Sequence, residues 1–311
     1  MFVESDGDKM DAIKTNGLTK HYGKSRGITD LNLTVQTGEF FGFIGPNGAG
    51  KSTTIRTLLG MITPTAGNAA VFGLDIRRDR NAILQKVGYL PAEAIFYPKM
   101  KVRDVLKLSA DLRKTNCAKE AAVLCERLQL DLSRKVEELS FGNRKKVAIV
   151  CALQHNPELL VLDEPTGGLD HLMQKEFFDI LRERHHSGTT VFLSSHVLSE
   201  IQRNCMRAAI IRDGRIIACD HVDALSKTNA KRITVCGDMK LDALQGVRDQ
   251  TITDGGIRFL YNGEMDALLH VLSSCHVKDL SVTEPDLDEI FLHYYEKEER
   301  KSENKFSDRV L

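Results

Sequence analysis

The octapeptide GPNGAGKS at residues 45–52 constrains the fold more than any other stretch of the chain. It follows GEFFGFIG, an apolar run without alternation, which reads as a strand buried on both faces. It precedes a helical pattern in which Ile55, Leu58 and Leu59 share one side and Gly60 stands at the C-cap. A strand, a glycine-rich loop and a helix in this order bring backbone N–H groups and a helix N-terminus to one point, where a phosphate is held. The pattern G-x-x-x-x-G-K-[ST] places Gly45, Pro46, Asn47, Gly48, Ala49 and Gly50 around the phosphates, with Thr53 in the helical turn behind them. Lys51 is expected to reach the β- and γ-phosphates, and Ser52 to offer its hydroxyl to Mg²⁺.

A loop of this kind needs a carboxylate nearby to help hold the metal. The stretch LLVLDE at 159–164 supplies two: four apolar residues, then Asp163 and Glu164 at the strand's end. Parallel sheets put their ligand crevices at such ends. Asp163 would orient the Mg²⁺ shell, and Glu164 would face the γ-phosphate and polarise the attacking water.

Further strands are expected at 83–90 and in TTVFLSSH, and two strand-like stretches in 12–36 flank the turn-rich TKHYGKSRG. Helices are expected over 101–114 and 119–130, after LSFGN, and after GGLD with Met173, Phe177, Ile180 and Leu181 inward. AAIIRDGRIIA reads as a hairpin turning at Asp213-Gly214. This alternation predicts a largely parallel sheet with helices on both faces. Past residue 231 a smaller unit begins: strand 232–236, a short helix near 240–246, strands near 247–253 and 256–261, helix 265–274, strand 277–282 and helix 286–295. The last helix is announced by the capping-box start T-E-P-D at Thr283.

Lysine plus arginine and aspartate plus glutamate both total 43, so no bulk charge draws the chain to nucleic acid or to a membrane surface. The seven cysteines show no metal-type or disulfide spacing and read as free thiols of a reducing compartment. The start, MFVESDGDKMDA, lacks the form of a signal peptide, and no apolar run is long enough to span a bilayer. A cytoplasmic chain is expected, with any membrane spans supplied by another subunit.

LSFGN at 139–143 resembles the signature motif, usually LSGGQ, of ATP-binding cassette (ABC) proteins. GGLD at 167–170 is similar to the D-loop of that family, and His196 stands where the family has its switch histidine. The order of these pieces matches across about 18–221. The resemblance implies an α/β P-loop NTPase domain of ABC type with a helical subdomain, and here a small C-terminal α+β domain besides. It implies Mg²⁺-dependent ATP hydrolysis in a head-to-tail dimer, the loop of one subunit meeting Ser140 and Gly142 of the other. Tyr22, in KHYGK, would stack on adenine, His196 would contact the γ-phosphate, and Asp170 would link the two sites.

The chain departs from the pattern at Phe141, Asn143 and Gly167, and at Met206, where the family is usually acidic. A further departure lies in VGYLPAE at 87–93. The family glutamine that touches Mg²⁺ is replaced by Ala92, so Glu93, one residue on, becomes the candidate metal ligand, with a solvated loop acid as the alternative, and AIFYPKMKVRDVL after it the candidate contact with a membrane partner. A single cassette without spans implies a homodimer, or a heterodimer with a second such ATPase. It would act at the inner face of the cell membrane through an integral membrane permease. GYLPAE, FGN-RKK and EPDLDEIFLHYY look similar to exporters of drugs, antibiotics or peptides. Two alternatives stay open at this level: an ATP-dependent switch with little hydrolysis and no permease, and a nucleic-acid- or ribosome-associated ATPase. The expected domains are 10–222 for ATP binding, 223–231 as linker and 232–296 as a packing or dimer-stabilising accessory, with a regulatory domain as the alternative, and flexible tails at 1–9 and 297–311.

Overall fold

A computed structural model describes residues 10–23, 25–226, 231–238, 244–253 and 255–283. The chain divides into two compact units, Met1–Val222 and Asp223–Leu311. The first opens with β1 (Asp11–Tyr22), β2 (Ser25–Gln36), β3 (Phe40–Ile44), α1 (Lys51–Leu58), β4 (Ala66–Val71), β5 (Leu74–Asp75), α2 (Arg80–Lys86) and β6 (Val87–Leu90). Three helices follow: α3 (Val102–Leu112), α4 (Ala118–Arg127) and α5 (Phe141–Leu153). The chain returns through β7 (Leu159–Asp163), α6 (His171–His186), β8 (Thr190–Ser195), α7 (Leu198–Asn204), β9 (Arg207–Arg212) and β10 (Arg215–His221), and α8 (Val222–Ser226) comes next.

The larger sheet has the order β10-β9-β3-β8-β7-β6, with all pairs parallel except β10 on β9. Phe41, Phe43, Leu160, Val161, Phe192 and Leu193 are all buried, adjacent positions included, because helices and a second sheet cover both faces. The parallel register sets three strand ends side by side: Ile44 pairs with Ser195, and Asp163 with Ser194. Helix α1 closes as expected at Gly60 (φ 62), with the Gly60 amide on Thr57 O and the Met61 amide on Arg56 O. The β9–β10 hairpin turns at Asp213-Gly214 with φ values of 49 and 77, the two positive angles of a type I′ turn.

The structure corrects several expectations. Residues 83–86 are not strand. They end α2, and only Val87–Leu90 pairs, with β7. The apolar pair Ile83 and Leu84 is a helical face packed on the core, which a short apolar window cannot distinguish from a strand. A second, antiparallel sheet, β2-β1-β4-β5, lies outside the parallel-sheet reading. Its β4, AGNAAV, has small residues and three exposed positions, and so carries little strand signal. TKHYGKSRG is mostly strand, since β1 runs to Tyr22 and β2 begins at Ser25. The first unit ends at Val222, where the ATP-binding domain is expected to end, and residues 223–226 that follow are helical, in α8.

The second unit contains β11 (Lys231–Asp238), β12 (Val247–Thr253), β13 (Gly256–Tyr261), α9 (Met265–Ser273) and β14 (His276–Thr283). Its antiparallel sheet has the order β12-β13-β11-β14. Leu268 and Leu272 of α9 pack with Ile233, Val235, Phe259 and Tyr261 in its core. Residues 244–246 are not helical. The helix expected at 286–295, the rest of the capping box after Thr283 and both tails lie outside the described residues, as does 239–243. Among the described residues no helix is long and apolar enough to cross a membrane. All seven cysteines are free thiols.

Candidate active site

The loop after β3 folds around its own lysine. Gly48 and Gly50 take φ values of 80 and 110, which let the chain turn into α1. Lys51, the first residue of α1, is buried, and its ammonium donates to Gly45 O at 2.6 Å and Pro46 O at 3.2 Å. Gly45 N donates to Ser195 O at 3.4 Å, tying the loop to the end of β8. Behind it, Gly214 N donates to Ala49 O at 2.9 Å and Thr29 N to Gly214 O at 2.7 Å, so the β9–β10 turn is pinned between the loop and β2. Ser52 and Thr53 remain partly accessible in the first turn, and Asn47 and Gly48 are exposed.

Asp163 is buried at the end of β7 and accepts from Ser194 Oγ at 3.2 Å. Glu164 follows in the left-handed region with φ 46, a conformation that costs a non-glycine residue about 1 kcal/mol or more and is overdetermined by its surroundings. One of those surroundings is the 3.0 Å bond from Glu164 N to Ser194 O. The turn aims the carboxylate across the sheet. Oε2 lies 2.6 Å from His196 Nδ1, which faces an acceptor-only group and therefore donates its N–H. Oε1 lies 3.1 Å from Lys51 Nζ, an ion pair too poorly aligned for a hydrogen bond, and this buried oxygen has no hydrogen-bond partner among the described residues. Lys51, Glu164 and His196 thus converge from the ends of β3, β7 and β8. An unsatisfied carboxylate oxygen beside a lysine suits a polarised water. The oxygens of Ser52 and Asp163 are hard donors of the kind Mg²⁺ prefers.

Glu200, which the sequence reading missed, holds the loop carrying His196. Its carboxylate accepts from Thr166 Oγ1 at 2.6 Å and Ser195 Oγ at 2.7 Å, and Ser195 Oγ accepts from Val197 N at 2.9 Å. Lys145 was missed as well. In RKK it reads as solvated charge, yet it is 2% exposed and donates to Pro91 O, Ala92 O and Glu164 O at 3.0, 2.9 and 3.0 Å. Burial pushes its ammonium down to about 8, against the opposing pull of Asp163 and Glu164.

Ser140 caps α5 by accepting from Asn143 N at 3.3 Å, and Asp170 caps α6 by accepting from Met173 N at 2.9 Å. The two loops touch. A Cβ built on Gly142 would lie 2.4 Å from Gly168 O, and one on Gly168 would lie 2.2 Å from Phe141 Cδ1. Phe141 therefore wedges its ring against the D-loop while staying 48% exposed. Gly168→Ala is expected to displace that ring and to strain the backbone, where φ is 81. ATPase turnover should fall about tenfold, and adding Phe141→Gly should recover part of it. Equal turnover in the single and double variants would mean the wedge has no part in activity.

A cavity of about 990 Å³ runs from Glu164 and His196 past Asn47 to Gly168 and His171. Ser140, Gly142, Tyr22 and Glu93 make no hydrogen bond to Lys51, Glu164 or His196. Tyr22 is exposed at the end of β1, with the Lys20 ammonium 5.3 Å from its ring centroid. Glu93 is exposed after β6 and makes no hydrogen bond or ion pair among the described residues.

Residues 28–167 match the protein family described as ABC transporter. The chain is 38% identical over 226 residues to the bacitracin transport ATP-binding protein BcrA of Bacillus licheniformis, covering 70% of this chain and 72% of that protein. It is 30% identical over 302 residues to the linearmycin resistance ATP-binding protein LnrL of Bacillus subtilis (strain 168), covering 90% and 97% respectively. A solved structure of the ATP-binding subunit of an ABC transporter overlays with a TM-score of 0.66 at 28% identity, over 70% of this chain and 92% of that one.

Proposed function

Because this chain belongs to the ABC transporter family, as an ATP-binding and ATP-hydrolysing subunit that drives an exporter, we propose that it works with Mg²⁺ as one half of a head-to-tail pair, docked on a separate permease that exports a drug or peptide antibiotic. The observation that carries the reading is the convergence of Lys51, Glu164 and His196 at three neighbouring strand ends. Water between Glu164 and the γ-phosphate loses its proton to the carboxylate as its oxygen bonds to phosphorus. The bond to the bridging oxygen breaks, leaving ADP and inorganic phosphate. His196 holds the carboxylate and reaches toward the γ-phosphate, while Lys51 carries charge on the β- and γ-oxygens. Mg²⁺, held by Ser52 and Asp163 with Glu93 as a further candidate ligand, neutralises the phosphates when bound. Ser140 and Gly142, exposed or half-exposed at the start of α5, offer their donors to the ATP of a second copy, and Tyr22 offers its ring to adenine.

The permease contact is read from a groove of about 880 Å³ lined by Leu84, Ile95, Tyr97, Met100, Leu108 and Leu112. Ile95 is 89% and Tyr97 69% exposed, an apolar patch of the kind that marks a partner surface. This supports a location at the inner face of the membrane. The cargo class rests on the bacitracin and linearmycin relatives. Ile95→Asp with Tyr97→Asp should leave hydrolysis by the isolated chain within about twofold, since surface changes of this kind are usually mild. The same pair should abolish co-purification with the permease and resistance to the exported compound. Undiminished resistance would place the docking surface elsewhere.

A further inference from the structure

Lys145 has a place in the fold that its neighbours in the RKK run do not share. It sits one turn into α5, only 2% exposed, and its ammonium meets three backbone carbonyls: Pro91, Ala92 and Glu164. An ammonium has three N–H donors, and all three are used. No carboxylate oxygen takes part in these bonds. The acceptors come from two separate loops, the one leaving β6 and the turn leaving β7, while the donor rides on a third element that begins at Ser140.

We propose that Lys145 is a positioning residue for hydrolysis: it clamps the Glu164 turn and the Pro91–Ala92 loop to α5, so that the base, the loop toward the permease groove and the signature helix are held as one body. The Glu164 carbonyl belongs to the residue in the left-handed region. Fixing that carbonyl fixes the direction in which Cβ leaves the turn, and with it the approach of the carboxylate to Lys51 and His196. On the other side, the clamped carbonyls immediately precede the segment that lines the groove with Ile95, Phe96 and Tyr97. A displacement of that segment is therefore felt at Glu164 through one side chain. The inference rests on the reading of Glu164 as the base.

The test compares Lys145→Met, Lys145→Gln and the parent chain, reconstituted with its permease. Met keeps the apolar stem and removes every donor. Gln keeps an N–H₂ group. Turnover should fall about 10–100-fold in the Met variant, the scale of a misplaced catalytic group, and less in the Gln variant, with KM for ATP and nucleotide affinity within about threefold of the parent. Amide hydrogen exchange at 92–96 and 164–168 should quicken together in the Met variant. Unchanged turnover in the Met variant, with Glu164→Gln still inactive, overturns the clamp and leaves the base in place. If nucleotide affinity and folded fraction fall in step with turnover, Lys145 is only a structural strut and the proposal also fails. Should Glu164→Gln retain turnover, the reading beneath the proposal fails, whatever Lys145 does.

Discussion

Glu164→Gln is expected to lower ATP turnover by about 10²–10⁴, the usual worth of a positioned general base, while ATP still binds. The exchange keeps the size of the side chain, so the left-handed turn and the bond from Lys145 to the Glu164 carbonyl survive. What is lost is the proton acceptor and the negative charge facing Lys51 and His196. With the charge gone, repulsion between this side chain and the γ-phosphate also goes, so ATP should persist and hold two copies together. Light scattering with ATP should then show a dimer, where the parent chain returns to its starting state as it hydrolyses. Turnover near that of the parent would remove Glu164 from the role of base.

Lys51→Ala should act earlier, on binding. The ammonium lies inside the curve of its loop, on Gly45 O and Pro46 O, where a phosphate oxygen can take over as partner. A hydrogen bond to a charged group contributes about 1.5–3 kcal/mol, so ATP affinity should fall about 10–100-fold in equilibrium titration. Truncation also removes the cation beside Glu164 Oε1, which has no hydrogen-bond partner among the described residues. Hydrolysis at saturating ATP should therefore fall as well. Unchanged affinity would count against the phosphate-binding assignment of residues 45–52.

Continuous apolar runs made the parallel core legible. FFGFI, LLVLD and TVFLSS needed no partner to be recognised, because burial on both faces leaves its mark on every residue. The motifs at their ends followed from chemistry that only a few residue types perform. Lys145 and Glu200 were illegible for the opposite reason. A lysine in RKK and a glutamate in HVLSE look like solvent-facing charge. Their functions arise from carbonyls and hydroxyls contributed by distant segments, which one-dimensional spacing does not reveal. The α2–β6 boundary was lost within RNAILQKVGYL, where one apolar pattern serves a helix and then a strand. The family's register falls on Ala92, which offers no ligand atom, so Glu93, one residue on, is a candidate by its chemistry alone; it is exposed after β6.

The turn at Asp213-Gly214 stands far along the chain from GPNGAGKS, yet its backbone braces that loop through Ala49 O and holds Thr29 behind it. The family match ends at residue 167, before Ser195, His196, Glu200 and this brace. A gene fragment cut to the matched residues would keep GPNGAGKS, LSFGN and the Asp163-Glu164 pair, yet lose His196 and the backbone brace behind the loop. A segment that keeps this site whole therefore runs at least through the Asp213-Gly214 turn.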